Sequence, residues 1–243
     1  MDHTNNSCCC GEAEHFSGCL ICGASITYRA ESSIQTCSIC HKEQLTNAVC
    51  ENGHFICDAC HSYGTYAPVI TTLRDSTEKD ALLLLEKIMD LPSVHMHGPE
   101  HHAIVPCVLL TAFRNNGEHM DYDAAPSEIC KRAKQVPGGT CGYWGVCGAA
   151  AGAGIFMSVM TGSSPLYKDA WPFPQKLVSI ILSRLADVGG PRCCKRTSRI
   201  AIEEAVHFYS QFCSVNIPLS SITCKYCEDN RECIQEDCPY YPE

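Results

Sequence analysis

The sequence lacks several features that mark secreted and nucleic-acid-binding proteins. Residues Met1 to Asn6 contain neither the basic start nor the apolar stretch of a secretory signal, so we expect a reducing, cytoplasmic compartment. Positive charge is scarce, since 18 lysines and arginines stand against 27 acidic residues, for a formal net charge of −9. Neutralising phosphates supplies most of the affinity for nucleic acids, and we therefore expect no nucleic-acid partner.

Charged residues are missing altogether from Gln135 to Tyr167. A membrane-spanning helix needs about 20 strongly apolar residues, whereas the centre of this segment, Gly145 to Met157, is built largely of glycine and alanine. Small residues let two backbones approach closely. The segment therefore predicts a helix buried in a protein core, and we expect no membrane partner.

Cysteine is the residue in excess, with 21 in 243 residues. A disulfide framework is not expected in a reducing compartment, so metal binding or thiol chemistry is the better interpretation. The pattern along the chain divides it into four parts. These are a flexible tail at 1–18, a zinc-binding module at 19–66, an α-helical domain at 67–220 and a cysteine-rich metal-binding segment at 221–243.

Helical periodicity and capping residues predict a mainly α fold, namely a helical bundle domain with a small N-terminal zinc-ribbon-like module. No segment of the main domain alternates between apolar and polar residues as a strand would. The predicted helices are 77–90, 99–114, 126–135, 147–160, 174–188 and 198–212. Pro106 should kink the second of them.

The N-terminal module carries eight residues with the spacing of zinc ligands. They are Cys19, Cys22, Cys37 and Cys40 in two knuckles, then Cys50, His54, Cys57 and Cys60. Two thiolates on a tight turn can reach one tetrahedral ion. Either the first four ligands share one ion and the last four another, or alternate pairs share ions in a cross-braced arrangement. In both arrangements each ion has four protein ligands and no open coordination position, so the zinc should be structural.

Two central segments carry further candidate ligands. The histidines His95, His97, His101 and His102 surround Glu100 at a turn and a helix start, and imidazoles are common ligands of transition metals. A glycine-rich loop at 137–148 contains Cys141 and Cys147, which could ligate a soft metal or a cluster. The alternative for both segments is a structural role, as satisfied polar groups and buried cysteines.

Cys193 and Cys194 precede a helix and are flanked by Arg192, Lys195 and Arg196. Positive charge and a helix N-terminus should lower the pKa of a thiol and attract anions. This predicts a catalytic nucleophile at Cys193 or Cys194, with the three basic residues binding an anionic substrate. The alternative is a solvated basic turn that caps the helix.

A last set of cysteines lies near the end of the chain. It consists of Cys224, Cys227, Cys233 and Cys238, with Pro239 following the last. Four thiolates suit zinc, and a cysteine followed by proline is also typical of iron–sulfur proteins. Zinc and an iron–sulfur cluster therefore both stay open for this segment.

These strings resemble a cysteine-rich family of unknown function from methanogenic archaea and anaerobic bacteria, sometimes fused to S-adenosylmethionine-dependent methyltransferases. The resemblance covers 19–238 and is carried by the knuckles and by the segments 95–102, 136–142 and 190–196. A looser resemblance links Cys107, the 147–150 region and Cys193 to the redox family named for its C-GCAxxG-C-C pattern. Ala149 stands where that pattern has a cysteine, which argues against a direct transfer of the redox role.

The sequence thus predicts a metal-binding protein of anaerobic metabolism, with redox or sulfur-handling chemistry at a thiol or metal centre in the helical domain. The expected cofactors are zinc and an iron–sulfur cluster or another transition metal, and the expected partner is a methyltransferase or a redox protein. A non-enzymatic metallochaperone or methyltransferase accessory protein, and a zinc-ribbon nucleic-acid binder, are the alternatives. The helical-domain chemistry requires distant groups to converge on one hollow, chiefly His97, His101, Cys141, Cys147 and Cys193.

Overall fold

The fold was obtained as a computed structural model, which describes residues 18–118, 122, 124–212 and 215–243. The predicted flexible tail at 1–18 lies outside the described residues, apart from Gly18. So do Cys8, Cys9, Cys10 and Cys213. The description below therefore applies to 17 of the 21 cysteines.

The N-terminal module is an antiparallel hairpin followed by one helical turn. Strand β1 covers Ile26–Thr36, strand β2 covers Glu43–Cys50, and helix α1 covers Asp58–His61. The register pairs Ile26 with Cys50 and is irregular between Tyr28 and Ser33. Little apolar surface is buried here, because the module's buried cluster contains only Cys37, Phe55 and Cys57.

Beyond the module the described chain contains helices and no strand, which confirms the mainly α fold, and its last segment, 215–243, has only a 3-10 turn at Gln235–Asp237. The helices beyond the module are α2 Tyr66–Asp75, α3 Ala81–Met89, α4 His101–Asn115, α5 Ala125–Ala133, α6 Thr140–Tyr143, α7 Gly148–Thr161, α8 Pro172–Val188 and α9 Cys194–Tyr209. Helix α4 is the centre of the bundle, with every residue from His101 to Phe113 buried. It packs against α2, α3, α5, α7 and α9.

Capping contacts explain where two helices depart from their predicted starts. Helix α3 begins at Ala81 rather than at 77, because the carboxylate of Asp80 accepts the backbone N–H groups of Leu82 and Leu83, both at 2.9 Å. Helix α9 begins at Cys194 rather than at 198, with Cys193 as its N-cap. The sequence did not predict α1, α2 or α6 as separate helices: α1 and α6 are single turns of four residues, and α2 buries only Val69 and Leu73.

Helix α7 is the buried, uncharged helix that the sequence predicted. Its glycines permit the approach of α4, since a Cβ on Gly152 would lie 2.5 Å from the carbonyl oxygen of His102. Within the described residues, no helix combines the length and the apolar character needed to cross a bilayer.

Candidate metal centres

The eight predicted ligands of the N-terminal module form two groups of four. One group is Cys19, Cys22, Cys50 and His54, and the other is Cys37, Cys40, Cys57 and Cys60. In each group the ligand atoms lie within 4.8 Å of one another, which is close enough to hold one metal ion. Of the two arrangements left open by the spacing, the structure selects the cross-braced one. We call these groups the first and second quartets.

The hairpin explains this pairing. Because Cys50 pairs with Ile26 in the register, the end of β2 returns beside the first knuckle. The Sγ atoms of Cys22 and Cys50 are then 3.5 Å apart, and Nδ1 of His54 is 3.3 Å from Sγ of Cys22. Helix α1 next carries Cys57 and Cys60 to the second knuckle, where Sγ of Cys57 is 3.7 Å from that of Cys40.

Hydrogen bonds at the quartets lower the pKa of two of their thiols and so favour the thiolate form. Hydrogen bonds from the backbone at Ala24 and from Asn52 lower the pKa of Cys22 to about 6. At Cys37 burial raises the pKa, but hydrogen bonds from several backbone N–H groups outweigh burial, and the net pKa of Cys37 falls to about 6. Burial and neighbouring thiols raise the pKa of Cys60 to about 12. Binding a metal ion would therefore displace protons from the remaining thiols.

A cavity of about 490 Å³ lies between the hairpin and the helical domain. Its lining includes Tyr28, Asp58, His61, His95, His97, His102, Cys141, Arg192 and Cys194. The module is held against the domain where the N–H of Gly138 donates to Oδ2 of Asp58 at 2.8 Å. The guanidinium of Arg192 also stacks over the ring of Tyr28, 5.2 Å from its centroid. We call this space the large cavity.

The large cavity gathers some of the groups that the sequence predicted to converge. His97 and Cys141 lie in its wall, although they are 44 positions apart in the chain. His101, Cys147 and Cys193 do not line it. The predicted convergence on one hollow is therefore wrong for those three residues.

Of the four predicted histidine ligands, the structure places only His95 in a metal-competent group, with His61 and Glu100. His97 uses both ring nitrogens elsewhere, because Nε2 lies 3.0 Å from Oδ1 of Asn230 and Nδ1 accepts the N–H of Cys194 at 3.4 Å. His101 is likewise occupied by the carbonyl of His95 and the hydroxyl of Ser198.

His102 bonds the carbonyl oxygen of Val136 through Nδ1, at 3.0 Å. Burial lowers the pKa of His102, and it lowers that of His101 to about 3, so both imidazoles are neutral parts of the core. The contacts of His97 and His101 match the structural alternative, because both nitrogens of each ring are engaged. For His102 only the contact of Nδ1 is established, so its ligand role stays a prediction. The sequence also missed His61, which lies 34 positions before His95.

The basic segment after Pro191 does not form an anion site as a unit. Lys195 is buried and its Nζ donates to the carbonyl oxygen of Met89 at 3.1 Å, and burial lowers its pKa to about 8. Arg196 is buried as well and donates to the carbonyl oxygens of Gly189 and Pro191. Neither side chain lines the large cavity, because helix α9 begins early enough to turn both of them inward. Arg192 alone of the three lines the large cavity.

The adjacent thiols Cys193 and Cys194 line different cavities. Cys194 faces the large one, whereas Cys193 faces a second, small cavity. Burial raises the pKa of Cys194 to about 12 despite the charge of Arg192, and burial also raises that of Cys193. Nearby arginines do lower both pKa values, but burial outweighs them, so the predicted low pKa is wrong for both thiols.

The small cavity is lined by five thiols, which we call the five-thiol pocket: Cys193, Cys224, Cys227, Cys233 and Cys238. Arg196 and Arg199 line it as well. Backbone N–H groups of Arg196 and Gln235 point at the sulfurs of Cys193 and Cys233, each at 3.4 Å. The four C-terminal cysteines were predicted as a set, but no pattern in the sequence indicated that Cys193 joins them.

The five sulfurs are spread more widely than those of the quartets. Groups of three or more ligand atoms within 4.8 Å of one another, over the described part of the chain, comprise the two quartets and His61, His95 and Glu100. The five-thiol pocket forms no such group. Its interior volume is about 10 Å³, roughly the space that one water molecule needs.

This cysteine-rich helical protein belongs to a family of unknown function, DUF5714, which it matches over residues 69–241. The matched region contains α3 to α9 and the five-thiol pocket, whereas both quartets precede it. This match confirms the predicted likeness to a family of unknown function. It gives no support for a fusion to a methyltransferase or for the likeness to the redox family. Comparisons with curated proteins and with solved structures found no match.

Proposed function

We propose that this chain is a redox metalloprotein with two structural zinc ions in the quartets and an iron–sulfur cluster in the five-thiol pocket. The observation that carries the proposal is the difference in sulfur spacing between these sites. Zinc–sulfur bonds of about 2.3 Å place the sulfurs of a tetrahedral site about 3.8 Å apart. The sulfur contacts of 3.5 and 3.7 Å in the quartets fit that distance.

The five-thiol pocket offers the type and number of ligands that a larger inorganic group needs. No three of its sulfurs lie within 4.8 Å of one another, so they stand further apart than the ligands of the quartets. Iron–sulfur clusters are held by four cysteine thiolates around a core of several atoms. The pocket offers five, so one thiol is in surplus, and the wider spacing suits the cluster.

The surroundings of the pocket support a negatively charged occupant. The guanidinium groups of Arg196 and Arg199 are buried in its wall, with 3% and 0% of their surfaces exposed. Arg199 is balanced by Glu86, whose carboxylate accepts two hydrogen bonds at 2.7 and 2.9 Å. Nε of Arg196 and Nη1 of Arg199 have no oxygen or nitrogen partner among the described residues. A cluster with four thiolate ligands would supply the missing negative charge.

The proposed chemistry is transfer of single electrons. A cluster held by these thiols would accept one electron from a reduced partner protein and pass it to an oxidised acceptor. The four C-terminal cysteines are partly exposed, which suits electron exchange with a docked redox protein. The zinc ions take no part in this transfer, because closed tetrahedral sites offer no open position and zinc has no redox chemistry here.

The test is anaerobic purification of the full chain followed by analysis of iron, sulfide and zinc. We expect zinc in both quartets and one cluster per chain, with broad visible absorption that bleaches when dithionite is added. Of the five single Cys→Ser variants of the pocket, four should lose the sulfide and this absorption and should keep the zinc of the quartets. Replacing the surplus thiol should leave the cluster in place and so identify it.

Cys130→Ser is the matched control, because Cys130 is half-buried and lies outside the quartets and the pocket. This variant should keep the iron content and spectrum of the unchanged protein. A chain that carries zinc at all of its thiol sites, with no iron and no visible band after anaerobic preparation, would contradict the cluster.

A further inference from the structure

A buried carboxylate stands behind the wall of the large cavity. Glu100 is fully buried, and no lysine or arginine nitrogen of the described chain lies within 4.0 Å of it. Its Oε2 is 3.3 Å from Nδ1 of His61, and its Oε1 is 3.0 Å from Nδ1 of His95. A buried carboxylate without a strong cationic partner is costly. A positive charge beside the two imidazoles would therefore stabilise the carboxylate of Glu100.

The two imidazoles connect this carboxylate with the large cavity. The side chains of His61 and His95 are 19% and 26% exposed, and both line the cavity, whereas Glu100 does not. Their rings meet edge to face with centroids 4.7 Å apart. The pair thus forms a patch of wall that a solute in the cavity can reach.

The backbone around this group is built for close packing. A Cβ on Gly98 would lie 2.1 Å from Oε2 of Glu100, so only glycine at this position lets the carboxylate fold back toward His95. The backbone N–H of His95 also donates to Oε1, at 3.1 Å. Helix α1, held by the second quartet, presents His61 from the other side. The group is thus assembled from both parts of the molecule.

We propose that His61, His95 and Glu100 bind one divalent transition-metal ion at the wall of the large cavity. Their ligand atoms lie within 4.8 Å of one another, the condition that the two quartets also meet. Two imidazoles and one carboxylate suit iron, manganese or zinc rather than a thiolate-seeking ion. The ion supplies the positive charge that Glu100 lacks.

Three protein ligands leave at least one coordination position open, as in metal sites that act on a substrate. The large cavity beside the ion has a volume of about 490 Å³ and contains the guanidinium of Arg192. The class of ligand that fits this position is therefore water or a small anion, since Arg192 adds positive charge to the same cavity. The quartets differ in this respect, since each already supplies four ligands.

Cobalt substitution separates this ion from those bound by thiolates. The full chain is loaded with Co²⁺ under anaerobic conditions, bound cobalt is counted by native mass spectrometry, and the absorption spectrum is recorded. Cobalt bound by cysteine shows strong sulfur-to-metal charge-transfer absorption, and cobalt bound by nitrogen and oxygen does not. We expect His61→Gln, His95→Gln and Glu100→Gln each to lose one cobalt ion, with the charge-transfer band unchanged.

His97→Gln is the matched control, because His97 lines the same cavity but both of its nitrogens are engaged. It should keep the cobalt count of the unchanged protein. Circular dichroism verifies folding, and the partly exposed His61 provides a decisive variant if Glu100→Gln does not fold. Full cobalt counts in His61→Gln and His95→Gln, or a lost ion that takes charge-transfer absorption with it, would overturn the proposal. Acid-labile sulfide, which a site of two imidazoles and one carboxylate does not contain, reports separately on the cluster.

Discussion

The N-terminal module and the helical domain are stabilised in different ways. In the module, large apolar side chains such as Ile34 and Leu45 are each 66% exposed, and the buried cluster consists of one phenylalanine and two cysteines. In the domain, α3 and α4 bury nearly continuous apolar surfaces. Domain folding can thus be driven by the hydrophobic effect, whereas the module depends on its metal ligands.

The same comparison extends to the cysteines. Cys19 with Cys22 and Cys224 with Cys227 have identical spacing in the sequence. The first pair belongs to a compact quartet, and the second belongs to a pocket in which the sulfurs stand further apart. Two thiols on one turn therefore do not determine what they bind. The number and direction of the other sulfurs brought by the fold decide it.

The largest effect should follow loss of a quartet ligand. Cys37→Ser should release the ion of the second quartet and unfold β1 and β2, because structural zinc contributes about 10 kcal/mol or more to such modules. Amide exchange protection in the hairpin should disappear, while the helical circular dichroism of the domain remains.

Ser38→Ala changes an exposed side chain in the same knuckle and should leave hairpin protection intact. If Cys37→Ser preserved full protection in β1 and β2, the module would not depend on metal, and the contrast between the two regions would fail.

Truncating a buried side chain should destabilise the helical domain. Leu85 is 0% exposed in α3, so Leu85→Ala should lower the free energy of unfolding of the domain by about 2–5 kcal/mol through lost burial and a cavity. Leu83 lies two positions earlier and is 43% exposed, so Leu83→Ala should cost about 0.5 kcal/mol or less. Urea denaturation followed by circular dichroism measures both. Equal losses for the two variants would refute the assignment of this core.

The smallest effect should come from the contact between the regions. Asp58→Asn weakens the hydrogen bond from Gly138 and should cost about 1 kcal/mol of docking free energy. The amide of Gly138 should then exchange about fivefold faster, with unchanged metal content.

Asp75→Asn is the control for this change, because Asp75 forms an exposed ion pair with Arg74, away from the interface. It should leave the exchange rate at Gly138 unaltered. An unchanged rate in Asp58→Asn would show that the hydrogen bond does not hold the module against the domain.

Local patterns were enough to predict the helical character of the domain. Apolar periodicity together with start and stop residues predicted α3, α4, α5, α7, α8 and α9 within about four residues of their bounds, because a helix repeats every 3.6 residues and its ends favour particular residue types. The starts of α3 and α9 depended on caps at Asp80 and Cys193, and side-chain capping is decided by single contacts. The eight ligands of the module could be named from spacing, but their pairing could not.

The sequence by itself determined which residue types were present in excess and which segments were helical, since both follow from composition and short-range periodicity. Tertiary structure alone decided that Cys193 and Cys194, neighbours in the chain, face different cavities. It also brought His61 of the module to Glu100 of the domain. Side chains of adjacent residues point in different directions, and contacts between distant segments arise only when helices and strands pack. Spacing along the chain therefore predicts neither the direction of adjacent side chains nor the contacts between distant segments.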